Sequence, residues 1–148
     1  MDEHELNDDS NTRPGLEDAK VNVRIKLSAL WASVMFCYIY ADYFDLMAPG
    51  TLKSMLEGQG PIGPSTPGTL LVAALVLAIP SVMIFLSVAL TPALARWINV
   101  ACGAVYTVII LNTMWSRGFL IVYGVIEITL TLLVIWYAWK WPKAPHKW

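Results

Sequence analysis

The chain has 148 residues, of which 57% are hydrophobic and 14% charged, and its mean hydropathy is +0.56. Soluble domains average about 25% charged residues, so this composition points away from a soluble globular fold. A net charge of -1 and no basic patch interleaved with aromatics argue against nucleic acid as a partner.

Residues 1–20, "MDEHELNDDSNTRPGLEDAK", are rich in acids, poor in apolar side chains and broken by Pro-Gly. Such a stretch cannot bury enough surface to order itself, and residues 1–22 are read as a disordered acidic tail. A secretory signal would instead begin with a basic segment and a brief apolar core.

Four apolar runs follow, each able to cross roughly 30 Å of hydrocarbon as a helix. The first predicted span covers residues 27–47. The Gly- and Pro-rich segment after it ends that helix. Within the segment, "GTLKSMLEG" predicts a short interfacial helix with Leu52, Met55 and Leu56 on one side and Gly58 past its end. That helix either closes the top of the bundle or forms a lid over the acids below it. The second span covers 69–90, and its central Pro80 predicts a kink whose freed carbonyl a neighbouring helix satisfies. The third covers 95–115 and the fourth 119–139, joined through Ser116, Arg117 and Gly118. The fold class is therefore all-α, an integral membrane bundle of four helices. Its domain is residues 23–142, with a short basic tail over 143–148.

An even number of spans puts both termini on one side. Lys20, Arg24, Lys26, Arg96, Lys140, Lys143 and Lys147 fall on that side, and Lys53 and Arg117 on the other. The excess of basic residues assigns the termini to the cytoplasm and the chain to the cell membrane. Trp31, Trp97, Trp136, Trp139 and Trp141 are placed near the inner boundary and Trp115 near the outer one, as an aromatic belt requires.

The chemistry-bearing residues are acids and tyrosines. Counting depth at 1.5 Å per residue puts Asp42 roughly 24 Å from the cytoplasmic edge and Glu127 roughly 12 Å from the outer one. Asp45 falls at the outer boundary, and Asn112 at nearly the depth of Asp42. Ser28, Trp31, Met35, Tyr38, Asp42 and Asp45 share one helical face. So do Arg96, Asn99, Gly103, Tyr106, Ile110, Thr113 and Arg117 on the third span, and Tyr123, Glu127 and Thr131 on the fourth. Polar stripes in lipid should face the bundle interior or a water-filled cavity. Asp42, Glu127, Tyr38, Tyr123, Asn112 and Asp45 are the candidates for binding a ligand or a proton, with Asn112 off its span's main stripe. The same stripes equally serve as glue between membrane helices.

No metal or cofactor is implied. The only histidines, His4 and His146, lie in the tails, which leaves no haem ligand or His-based dyad in a span. Cys37 and Cys102 fall at different depths and are expected to be free packing thiols. The candidate partners are the lipid bilayer and a larger membrane complex or a homo-oligomer.

"KLSALW", "YIYADYFDLMAPG", "IPSVMIFLS", "RWINV" and "WYAWKW" together resemble a family of small four-span prokaryotic membrane proteins of unknown function. The resemblance covers about residues 24–141, and Tyr40 to Asp42 is its most specific part. It implies the four-span architecture and carries no activity. From the residues, two roles stand: a non-enzymatic accessory subunit or small-ligand binder, and a proton- or ion-coupled carrier acting through Asp42 and Glu127.

Overall fold

The structure, a computed structural model, describes residues 20–60, 63–116 and 118–142. Most of the expected tail over 1–22, all of that over 143–148, and Arg117 lie outside these residues. The chain forms α1 (Val23–Met47), α2 (Thr51–Leu56), the two-residue strands β1 (Gln59–Gly60) and β2 (Gly63–Pro64), α3 (Pro67–Ala89), α4 (Pro92–Thr113) and α5 (Gly118–Trp139). A 3₁₀ turn at Met114–Ser116 ends α4. The two strands pair antiparallel as a minimal hairpin within the Gly- and Pro-rich segment.

All four long helices start earlier than their apolar runs, because caps rather than hydropathy set a helix end. The Asn22 side chain accepts from the Arg24 amide. Thr66 and Thr69 form a reciprocal capping box ahead of α3. Pro67 and Pro92 sit in the first turns of α3 and α4, where a missing N–H costs nothing. The short helix expected in the first loop is α2; Gly50 and Gly58 flank it with φ of 88° and 81°, values that favour glycine.

The long helices run alternately up and down. α1 lies against α3 and α5, and α4 lies against α5, with a smaller α3–α4 contact completing the ring. Arg24 donates to the Val88 carbonyl at 3.1 Å and Ser28 to that of Ile84 at 2.8 Å, pinning the start of α1 to the end of α3. α4 and α5 meet closely at Gly103, where a Cβ would lie 2.8 Å from Ile135 Cγ1. One turn on, Thr107 and Thr131 hydroxyls bond at 2.8 Å.

The core is Leu27, Trp31, Val34, Met83, Tyr106, Val134 and Ala138. Trp31, on the α1 stripe expected to face the bundle interior, is the largest fully buried side chain. It donates its indole N–H to Asn99 Oδ1 at 2.7 Å, linking the diagonal helices α1 and α4. Ser87 Oγ of α3 lies 2.7 Å from the Met83 carbonyl of its own helix and 3.1 Å from that same Asn99 oxygen, with its one proton shared between them. An indole enters a core when its N–H has such a partner.

α3 continues through Pro80, which is buried. The Tyr106 hydroxyl donates to the Val76 carbonyl, four residues before Pro80, as the sequence reading of this proline required. Away from the core the helices present large apolar side chains, with Phe85 70% and Val122 62% exposed. All four long helices are long and apolar enough to cross a membrane.

Candidate functional site

Glu127 is the most enclosed acid. α5 buries Gly124, Glu127, Thr131, Val134 and Ala138, which recur at spacings of three and four on one face. That face is turned into the bundle by the small residues at its ends, which let α4 and the 3₁₀ turn approach. Gly124 lies so close to Met114 that a Cβ would come within 2.6 Å of the Met114 Cβ. Glu127 is 5% exposed, and no hydrogen bond or ion pair to a described residue joins it.

Asp42 and Glu127 stand on the two helices of the α1–α5 contact. Asp42, Tyr38 and Cys37 all lie within electrostatic reach of Glu127. Tyr38 is half-buried beside Tyr106, with ring centroids 6.4 Å apart. Asp42 follows the buried Ala41 and is itself exposed, because α1 buries the phase of Leu27, Trp31, Val34 and Ala41. That face is turned slightly from the stripe drawn on sequence, and the turn leaves Asp42 at the margin of the contact. Asp45 is half-buried next to Asp42, with Oδ1 sealed from solvent.

The other candidates are placed differently. Tyr123 is half-buried one turn from Glu127, and its ring lies 6.2 Å from that of Phe44 on α1. Asn112 is exposed and donates to the Val108 carbonyl of its own helix at 2.7 Å. Its amide is thus spent locally, as its position off the stripe foreshadowed.

Sequence reasoning gave no site role to two residues, of which Cys37 lies beside the site and Ser87 belongs to the Asn99 cluster. Cys37 was read as a packing residue only; it precedes Tyr38 on the side that reaches Glu127. Ser87 drew no notice, although a serine within a long apolar run marks an interhelical bond. Both cysteines are free and half-buried.

Chemically, a carboxyl with no protein donor can hold a proton or a small cation. Among the described residues no three His, Cys, Asp or Glu side chains are grouped to hold a metal ion.

A family model described as DUF6326, a family of unknown function, matches residues 17–146. The chain belongs to the DUF6326 family. The match takes in α1 through α5, so in this DUF6326 member all four apolar helices and both Asp42 and Glu127 lie within the family region. No curated protein and no solved structure matches the chain.

Proposed function

We propose that this chain is a multi-pass protein of the cell membrane with both termini cytoplasmic. Its role is non-enzymatic, as an accessory subunit or small-ligand-binding module, and its binding point is Glu127 with Asp42 and Tyr38. The single observation carrying this reading is the buried Glu127 carboxyl, which no described residue joins by a hydrogen bond or ion pair. An ionised carboxyl so placed costs several kcal/mol, and a bound proton or small cation removes most of that cost. The orientation is supported by Lys20, Arg24, Lys26, Arg96 and Lys140, which gather at the termini end, against Lys53 beyond the other end.

A hydrophobic carbodiimide, which attacks protonated carboxyls, tests the site. Modification of Glu127 with Asp45 spared is the expected result, and Glu127→Gln should abolish labelling while the protein still folds. Labelling of Asp45 with Glu127 untouched would remove Glu127 as the binding point.

A second reading, a proton- or ion-coupled carrier, is favoured by the pairing of an exposed acid with a buried one. Asp42 at the margin and Glu127 inside form two steps of a path between surface and interior. Purified protein in sealed vesicles separates the two readings. Flux that Asp42→Asn and Glu127→Gln each abolish identifies a carrier. No flux, together with a partner retained from native membranes, identifies an accessory subunit.

A further inference from the structure

The end of the bundle that holds the chain termini carries an unusual charge pattern. Lys20, Arg24, Lys26, Arg96 and Lys140 lie there, while the acids among the described residues, Asp42, Asp45, Glu57 and Glu127, all lie toward the opposite end. Three of these cations face aromatic rings instead of carboxylates. Lys26 Nζ is 5.4 Å from the Tyr137 centroid. The Arg96 guanidinium carbon is 5.5 Å from that of Trp97 and 5.7 Å from that of Trp139. Lys140 Nζ is closest, 4.6 Å from Trp136. A cation over a ring keeps its N–H donors free on the other side, so this end offers positive charge with no carboxylate among the described residues to answer it.

Trp136 joins that charge to an apolar groove. The groove is shallow and open along most of its surface, with a volume of about 430 Å³, and is lined by Thr129, Leu132, Leu133 and Trp136 on one outward face of α5. Thr129 turns its hydroxyl back to the Val125 carbonyl at 2.8 Å, so its methyl is left for the groove. From Thr129 to Trp136 the helix rises roughly 10 Å, the length of several methylenes of an extended chain. A cation at the headgroup level above a shallow apolar groove matches an amphiphile with a negative head.

We infer that this face binds an anionic phospholipid, with its phosphate at Lys140 and its acyl chain in the groove of Thr129, Leu132, Leu133 and Trp136. Charge complementarity selects the occupant. The inference rests on the membrane reading proposed above, and it places a specific lipid on α5 distinct from the Glu127 site.

The test uses the full chain, purified in mild detergent and mixed with equal amounts of phosphatidylglycerol and phosphatidylcholine. Native mass spectrometry counts the lipid retained. Wild type should keep phosphatidylglycerol at least tenfold over phosphatidylcholine. Lys140→Gln should lose most of that preference, Lys140→Arg should keep it, and Lys53→Gln should match wild type. Leu133→Trp, which fills the groove, should lower retention of both lipids. Equal retention of the two lipids by wild type overturns the inference, as does a Lys140→Gln variant that behaves like Lys53→Gln. Phosphatidylglycerol binding that appears only after residues 1–19 are removed also overturns it, since the chain's own acidic segment would then be the occupant. Release of the protein from membranes by an alkaline wash would refute the membrane reading itself, a result separate from any lipid preference.

Discussion

The Tyr106 hydroxyl on α4 donates to the Val76 carbonyl on α3, the acceptor that Pro80 leaves without its helical donor. One side chain thereby repairs a backbone defect in another helix, and the helix pair with the smaller contact gains a bond deep in the bundle. Tyr106→Phe removes the donor and should cost about 1 kcal/mol, read as a lower melting temperature in detergent. Pro80→Ala restores the backbone donor, so the same tyrosine change on that background should cost measurably less. Equal costs on both backgrounds would show that the two residues are not coupled.

Asn99 Oδ1 accepts from Trp31 and lies 3.1 Å from Ser87 Oγ, whose proton is shared with the Met83 carbonyl, while the Asn99 amide donates to the Ala95 carbonyl at 2.8 Å. Three helices share that one oxygen. Asn99→Leu leaves a buried indole N–H with no acceptor and should destabilise by about 1–3 kcal/mol. Trp31→Phe in the same protein removes the stranded donor, so the double variant should fall short of the sum of the two single losses. Thermal melts of the four proteins give the coupling.

Gly103 sits where a Cβ would be 2.8 Å from Ile135 Cγ1 and 3.3 Å from the Thr131 carbonyl. Gly103→Ala therefore pushes α4 and α5 apart and should cost about 1–3 kcal/mol. Ile135→Ala vacates the space, and the pair together should be more stable than additivity allows. A strictly additive melt would place the Gly103 effect elsewhere than at this contact.

The proposed orientation makes a labelling prediction. In a variant with Cys37 and Cys102 replaced by Ala, a single cysteine at Gly60 should react with a membrane-impermeant thiol reagent in intact cells. A cysteine at Lys140 should react only after the cells are opened. The reverse pattern would invert the protein in the membrane.

The sequence by itself determined the number of long helices, their order, the short helix after the first and the end that collects the cations. Each of these is a local sum. Apolar length marks a helix able to span, Gly50 and Gly58 bracket α2, and the basic residues are counted where they stand. The need for an outside donor at Val76 was also legible, because a proline inside a helix always frees the carbonyl four residues earlier. What only the tertiary structure decided is which side of each helix is covered. A helix turns about 100° per residue, so a small rotation moves a side chain from interior to surface. On α1 the burial of Trp31, fixed by Asn99 across the bundle, sets that rotation; Ala41 is turned in and Asp42 is left at the margin. On α5 the close approaches at Gly103 and Gly124 set it, and Glu127 is enclosed. The sequence named both acids as candidates. Their unequal burial depends on where neighbouring helices come to rest, and no spacing within one helix records that.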